Sequence, residues 1–367
     1  MIPVNEPLFG SREKELLIQC IDTGWVSSEG PFVKQFEESF SSYIGVKHGI
    51  AVCNGTAAIE TALYAAGIEK GDEVIMPTFT IISCAIAVIR LGAIPVLVDI
   101  EPDTWNMDVT QIESKITKST RAVMPVHIYG HPVDMDPVME IAEKYNLTVI
   151  EDAAEVHGAE YKGEKAGSIG HIAIFSFYAN KIINTGEGGM VVTNNKVMAE
   201  RARSYRNLCF KTSRRFYHTE MGYNFRMTNL QAAIGMAQIE RIEESVSFKR
   251  EMGDYYRKKL SEIPGIRFPL EKPWAKTVYW MYSIEIDESV GIQAGEMIEK
   301  LRSHEIGSRP FFLGLHEQPV FHDMGLFVGE RYSIAERASR YGLYLPSGMT
   351  LTKSQVDFVC DTFKTLI

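Results

Sequence analysis

Short apolar runs alternate with longer amphipathic stretches through the first half of the chain. "HGIAVC" leads into "NGTAAIETALYAAGI", "EVIMPT" into "IISCAIAVIRLG", and "RAVMPVHIYG" into "MDPVMEIAEKYN" followed by "LTVIEDA". In each pair the first member has the length and β-branched content of a buried strand. The second carries apolar residues at helical spacing. "IPVLVDI", "IAIFSF" and "GGMVVTN" add further strands. Strands alternating with helices predict an α/β architecture, a mostly parallel sheet sandwiched by helices. "NLQAAIGMAQIERIEESVSFKREMGDYYRKKLSEI" keeps helical spacing throughout and predicts one long helical region, stopped at Pro264 and Gly265. Beyond it the pattern changes. "VYWMYSIEI" alternates like a strand, "AGEMIEKLRSHEIGSRPFF" reads as helix, turn and strand, and "TKSQVDFVCDTFKTLI" as an amphipathic helix. The expected organisation is a large α/β domain over residues 1–245 and a smaller C-terminal α+β domain over 246–367.

Composition narrows the class of function. The chain has 367 residues, 45% hydrophobic and 23% charged, enough to bury a large core without covalent staples. Its net charge of −9 argues against nucleic-acid binding, which needs clustered Lys and Arg. The opening "MIPVNEPLFGSREKE" has no basic region followed by an apolar one, and the apolar stretch "IISCAIAVIRLGAIPVLVDI" is broken by Arg90, Gly92 and Pro95. Neither a signal peptide nor a membrane span is expected. Five scattered cysteines without CxxC spacing fit reduced thiols, and a cytoplasmic location is expected. His127, His131 and His157 are not at metal-ligand spacing, so no metal site is expected.

Three local features carry candidate chemistry. Asp152 stands where the apolar strand "LTVIED" runs out, the end at which open α/β sheets bind ligands. An Asp there can equally cap the next turn. "NGT" at residues 54–56 lies between a strand and a helix, where free amides and the helix dipole favour an anion; it also reads as a capped turn. Lys181, in "FSFYANKIINTGEGG", is a solvated charge beside a glycine turn or an amine that reacts with a carbonyl. Ser176 precedes it as a further hydroxyl. The order of these parts is more informative than any one. Pyridoxal phosphate needs backbone donors and hydroxyls for its phosphate, a carboxylate for its ring nitrogen and a lysine for its aldehyde.

With "TGWVSSEGPFVKQFEESF", "CNGTAAIETAL", "GDEVIMPTFT", "VIEDAAEVHGAEYKG", "FSFYANKIINTGEGGMVVTN", "GYNFRMTNLQAAIG" and "RPFF" in that order, the chain resembles the DegT/DnrJ/EryC1/StrS sugar aminotransferases. The resemblance implies the type I fold of pyridoxal phosphate-dependent transferases. It implies pyridoxal 5′-phosphate as cofactor, alternating with pyridoxamine phosphate. It assigns Lys181 and Asp152 catalytic roles, Lys181 at the aldehyde and Asp152 at the ring nitrogen. Gly55, Thr56 and Ser176 match phosphate contacts, and Glu155 a position near the ring hydroxyl. Asn224 matches a residue that reaches the cofactor of the other subunit, implying a homodimer with shared active sites. The partners implied are L-glutamate, released as 2-oxoglutarate, and a keto sugar nucleotide.

Within the family the resemblance is strongest to the perosamine-forming members. These aminate GDP-4-keto-6-deoxy-D-mannose for surface polysaccharides of the O-antigen kind. Two positions depart from them: Ile81 stands where an aromatic residue stacks on the cofactor ring, and "RPFFLGLH" has Leu313, with His316 three residues on. A UDP- or dTDP-linked keto sugar, or a small phosphorylated ketone or aldehyde, therefore stays open as acceptor. Lys181 speaks against the dehydratases of this fold, which carry His there. A DNA-binding regulator, the reading outside enzymology, would need a basic module that is absent. Trp25, Tyr217, Arg309 and His316 are candidate substrate contacts, each equally readable as packing or a local ion pair.

Overall fold

The computed structural model describes residues 1–210, 214 and 216–367. The buried strands predicted from the pattern assemble into one seven-stranded sheet. They are β1 (His48–Val52), β2 (Glu73–Pro77), β3 (Ile94–Val98), β4 (Thr120–Val123), β5 (Thr148–Asp152), β6 (Ile172–Ser176) and β7 (Gly189–Thr193), in the order β1-β7-β6-β5-β4-β2-β3. Only β7 runs against its neighbours; every other adjacent pair is parallel. β6 and β7 are buried along their whole length, as their unbroken apolar runs require of strands covered on both faces.

Helices α1 (Ser11–Thr23) and α2 (Pro31–Ile44) precede the sheet. Helix α3 (Gly55–Ala66) packs on β6, β7 and β5 through an alanine-rich face that lets it approach closely. Helix α4 (Ser83–Arg90) follows β2, and α5 (Met135–Tyr145) and α6 (Lys196–Tyr205) complete the layers.

The predicted long helical region is two helices, α7 (Asn229–Ile239) and α8 (Ile242–Leu260). Arg241 leaves helical backbone at φ −122°, ψ 20°, and its guanidinium reaches the Leu8 carbonyl and Glu13. Apolar spacing continues across the break because both helices bury a face, so periodicity alone cannot show it.

A second, four-stranded sheet has the order β8-β9-β11-β10, with β8 (Ile266–Arg267), β9 (Tyr282–Ile286), β10 (Arg309–Pro310) and β11 (Gly342–Leu345), all antiparallel. Its core joins Tyr256 of α8, Tyr282, Ile284 and Leu301 of α9 (Ala294–Ser303) to Phe363 near the chain end. β9 begins only at Tyr282, although the alternation starts at Val278. Tyr279 adopts left-handed backbone (φ 44°), and Val278 N donates to the Gly130 carbonyl instead. Gly130 permits that approach: a Cβ there would lie 2.7 Å from the backbone nitrogens of Tyr279 and Trp280. This detour carries Trp280 toward the end of the large sheet. Ile2 pairs with Ile306 beside the second core, whereas Phe311, Phe321 and Ala335 pack into the first. No helix among the described residues is long and apolar enough to cross a membrane.

Candidate active site

Four strands bring their carboxyl ends to one place. β1 ends before the Asn54–Thr56 turn, β2 before the loop to Ile81, β5 in Asp152 and β6 in Ser176. Parallel strands make this edge the ligand-binding end of an α/β sheet. A cavity of about 510 Å³ opens there, and seven of the residues expected from the sequence line it: Gly55, Thr56, Ile81, Asp152, Glu155, Ser176 and Lys181.

The α3 end is built as an anion cradle. The Asn54 side chain caps the helix at Ala57 N (2.8 Å), and the Gly55 and Thr56 amides find no acceptor among the described residues. A Cβ on Gly55 would sit 2.9 Å from Ser176 Cβ, so glycine is what keeps the cradle open. Thr56 Oγ1 donates to Ser83 Oγ at 2.9 Å, placing two hydroxyls beside it. Asp152 is buried, accepts from Cys84 Sγ (3.1 Å) and Ala154 N (3.1 Å), and has no ion-pair partner among the described residues. Burial accordingly raises its pKa. A protonated ring nitrogen would offset that cost.

The Lys181 side chain is only 9% exposed. Its Nζ lies 3.7 Å from Glu155 Oε1 and 3.6 Å from the ring centroid of Trp280. Burial lowers the lysine's pKa, against the pull of Glu155 and Asp152. Glu155, whose Oε2 accepts from Tyr129 N at 2.8 Å, is pushed up to about 7, mainly by burial and against Lys181. An amine desolvated in this way is suited to carbonyl chemistry. Ile81 remains 43% exposed although apolar, presenting an aliphatic wall to the cavity. A phosphate cradle, a buried carboxylate, an amine and an apolar wall in one cavity fit pyridoxal phosphate.

The other candidates lie elsewhere in this chain. His316 does not face the cavity. It is buried, bonded to Thr78 Oγ1 at 2.7 Å and to Glu336 Oε1 at 3.4 Å, because its loop folds back under the end of β2. Trp25 is half exposed and lines a separate cavity with Phe210 and Arg226. Asn224 and Tyr217 are exposed, outside the Lys181 cavity. Arg309 lines an adjoining cavity. His127 and His131 are satisfied inside the core, and no metal-ligand cluster occurs among the described residues.

Sequence reasoning missed Trp280, Tyr344, Asn180, Ser83 and Cys84. Trp280 read as a strand residue and Cys84 as one of five reduced thiols, and the stretch around Tyr344 carried no element assignment. The only available signal for Trp280 was a large aromatic with a polar N–H inside an otherwise ordinary run.

The sheet order and this cavity define a type I fold pyridoxal phosphate enzyme. The chain belongs to the DegT/DnrJ/EryC1/StrS aminotransferase family, whose model matches residues 7–364. It is 42% identical over 359 residues to GDP-perosamine synthase of Caulobacter vibrioides, covering 98% of this chain and 96% of that one. To the GDP-perosamine synthase of Escherichia coli O157:H7 it is 40% identical, covering 98% and 97%. The putative sugar aminotransferase Spr1654 of Streptococcus pneumoniae superposes with a TM-score of 0.93 in both its PLP and PMP forms. Identity is 26%, with 100% of this chain covered and 97–98% of that one. The aminotransferase of Psychrobacter cryohalolentis does so with a TM-score of 0.93 at 28% identity, covering 98% of each. The protein is thus a pyridoxal phosphate-dependent aminotransferase.

Proposed function

We propose that the protein transfers the amino group of L-glutamate to the keto carbon of GDP-4-keto-6-deoxy-D-mannose, giving GDP-perosamine for surface polysaccharide of the O-antigen kind. The observation that carries the aminotransferase half is the buried amine of Lys181, set 3.7 Å from Glu155 in the cavity that Asp152 also lines. Support for the acceptor is the 37–42% identity to GDP-perosamine synthases of three bacteria over nearly the whole chain.

Pyridoxal phosphate, when bound, supplies the electron sink for deprotonating the donor's Cα. Gly55, Thr56 and Ser176 would hold its phosphate, Asp152 would face its ring nitrogen, and Ile81 would pack on its ring, since all five line the same cavity. Lys181 would hold the aldehyde end. Its amine, when free, would take the proton from the donor's Cα as base and return it as acid. Glu155 sits close enough to hold that amine charged or to accept from it. Asn224 serves the cofactor of the other subunit, so the working form is a homodimer, acting in the cytoplasm. The same reading takes residues 1–245 as the cofactor-binding domain and 246–367 as the smaller one.

The test is to supply L-glutamate and a panel of GDP-, UDP- and dTDP-linked 4-keto-6-deoxy sugars to the cofactor-loaded protein and read products by mass. Amination of the GDP-linked sugar is expected. Product from a UDP- or dTDP-linked sugar alone would move the acceptor. Product from none would sink the nucleotide-sugar reading in favour of a small phosphorylated acceptor.

A further inference from the structure

A second cavity, of about 570 Å³, meets the first at Tyr178, Asn180 and Tyr344, which line both. Its other walls come from Pro3, Val4, Asn5 and Pro7, α9 and the approach to β10. Although the chain carries a net charge of −9, two arginines and no carboxylate line this chamber. Arg302 is engaged by Glu299. Arg309 has no ion pair and no side-chain hydrogen bond among the described residues. It stands opposite Tyr344 in the β10–β11 register, which puts both side chains on one face of the sheet. Two residues lining the same chamber, Ser308 and Asn180, each carry a buried side-chain oxygen (Oγ and Oδ1) that also has no partner among the described residues. Buried polar groups are ordinarily satisfied, and the two ends of an Asn amide exchange without change of shape. A guanidinium fork, a hydroxyl and a carboxamide left unpaired together are a donor set for a carboxylate.

We propose that this chamber binds a carboxylate of the amino donor, with Arg309 as its anchor and Ser308 and Asn180 as neutral donors. The inference rests on Lys181 being the residue that meets the donor amine. The donor then bridges the two cavities past Tyr344, its amine toward Lys181 and a carboxylate toward Arg309. A diphosphate shares the anion chemistry, and the experiment separates it from a carboxylate.

The two half-reactions are followed separately by absorbance in cofactor-loaded wild type, Arg309→Gln and Ser308→Ala, after a melt shows each variant folded. Arg309→Gln is expected to raise the half-saturating L-glutamate concentration about tenfold or more, the size of a lost charge-assisted pair. Its limiting rate and the half-reaction with the keto sugar nucleotide should stay within about twofold, a margin of roughly 0.4 kcal/mol. Ser308→Ala should move the same quantity less. Glutarate, a dicarboxylate without an amine, is titrated calorimetrically into each protein and should weaken by the same factor in Arg309→Gln. Unchanged glutamate and glutarate binding overturns the proposal, as does a loss confined to the sugar nucleotide, which would give the chamber to the diphosphate. Should wild type take no amino group from glutamate, the donor reading fails by itself. The dependence of glutarate binding on Arg309 then still decides the chamber.

Discussion

The indole face of Trp280 covers the amine of Lys181, with Nζ 3.6 Å from the ring centroid. The same indole donates its N–H to the carbonyl of Asn180 at 2.8 Å, one residue before the lysine. Trp280 therefore holds both the backbone that presents Lys181 and the amine itself. The ring face favours the charged amine, in a buried setting by about 1–2 kcal/mol. Trp280→Leu is expected to lower the lysine's pKa in the cofactor-free protein and to cut kcat about tenfold. Trp280→Phe, which keeps a ring face, should recover part of both. The check is the pH dependence of Lys181 labelling by an amine-specific reagent, located by mass. An unmoved midpoint in the Leu variant would contradict the assignment.

Gly55 tests the phosphate cradle. Its added Cβ would lie 2.9 Å from Ser176 Cβ and 3.1 Å from Ser176 Oγ, closing the gap between the start of α3 and Ser176. Gly55→Ala should weaken cofactor binding by about tenfold or more, a loss of roughly 1.4 kcal/mol, while the fold persists. Titration of the cofactor-free variant with pyridoxal phosphate measures this, and wild-type affinity would rule the cradle out.

Lys249 is wholly buried and donates to the carbonyls of Trp280, at 2.8 Å, and Ser347, with no ion-pair partner among the described residues. Burial brings its pKa from 10.5 down to about 7. Between those values the unfolded chain binds the extra proton, so this group makes stability rise with pH across that window. Lys249→Met should leave both carbonyls unpaired, cost about 2–3 kcal/mol, and remove that slope. Urea melts of both proteins at pH 7 and pH 9 give the answer; equal slopes would refute it.

Glu336 behaves oppositely. Its carboxylate takes a fork from Arg331 at 2.6 and 2.7 Å and the Tyr332 amide at 3.1 Å, and its pKa falls from 4.5 to about 2, chiefly through Arg331. The stability it contributes is complete above pH 4.5 and is lost as pH falls toward 2. Arg331 is 80% exposed, so solvent screening limits the loss in Glu336→Gln to about 1 kcal/mol at pH 7. Thermal melts from pH 7 to pH 3 should show the gap between wild type and variant closing. A constant gap would mean the charge is not what matters.

Much of the site was legible because its parts lie at the ends of local patterns. Asp152 closes an apolar run, "NGT" joins a strand to a helix, and Ser176 and Lys181 flank a glycine loop. Each of those positions is set by backbone periodicity within a few residues. His316 shows the limit. Its polarity suggested a substrate contact, but Thr78 and Glu336, both distant in sequence or in a separate helix, draw it into the core. The break at Arg241 was equally invisible, since a reach to Leu8 and Glu13 leaves no mark on apolar spacing.

Read alone, the sequence determined the α/β class, the end of the sheet that binds a ligand, and the order of the groups that pyridoxal phosphate needs. Those follow from side-chain period and residue chemistry, which are local. Tertiary structure alone decided that Trp280 lies on Lys181, that Arg309 has no ion pair among the described residues, and that β7 runs against its neighbours. Such relations depend on which distant segments meet. Gly130, by lacking a Cβ, lets residues 279–280 pass close enough to reach the lysine.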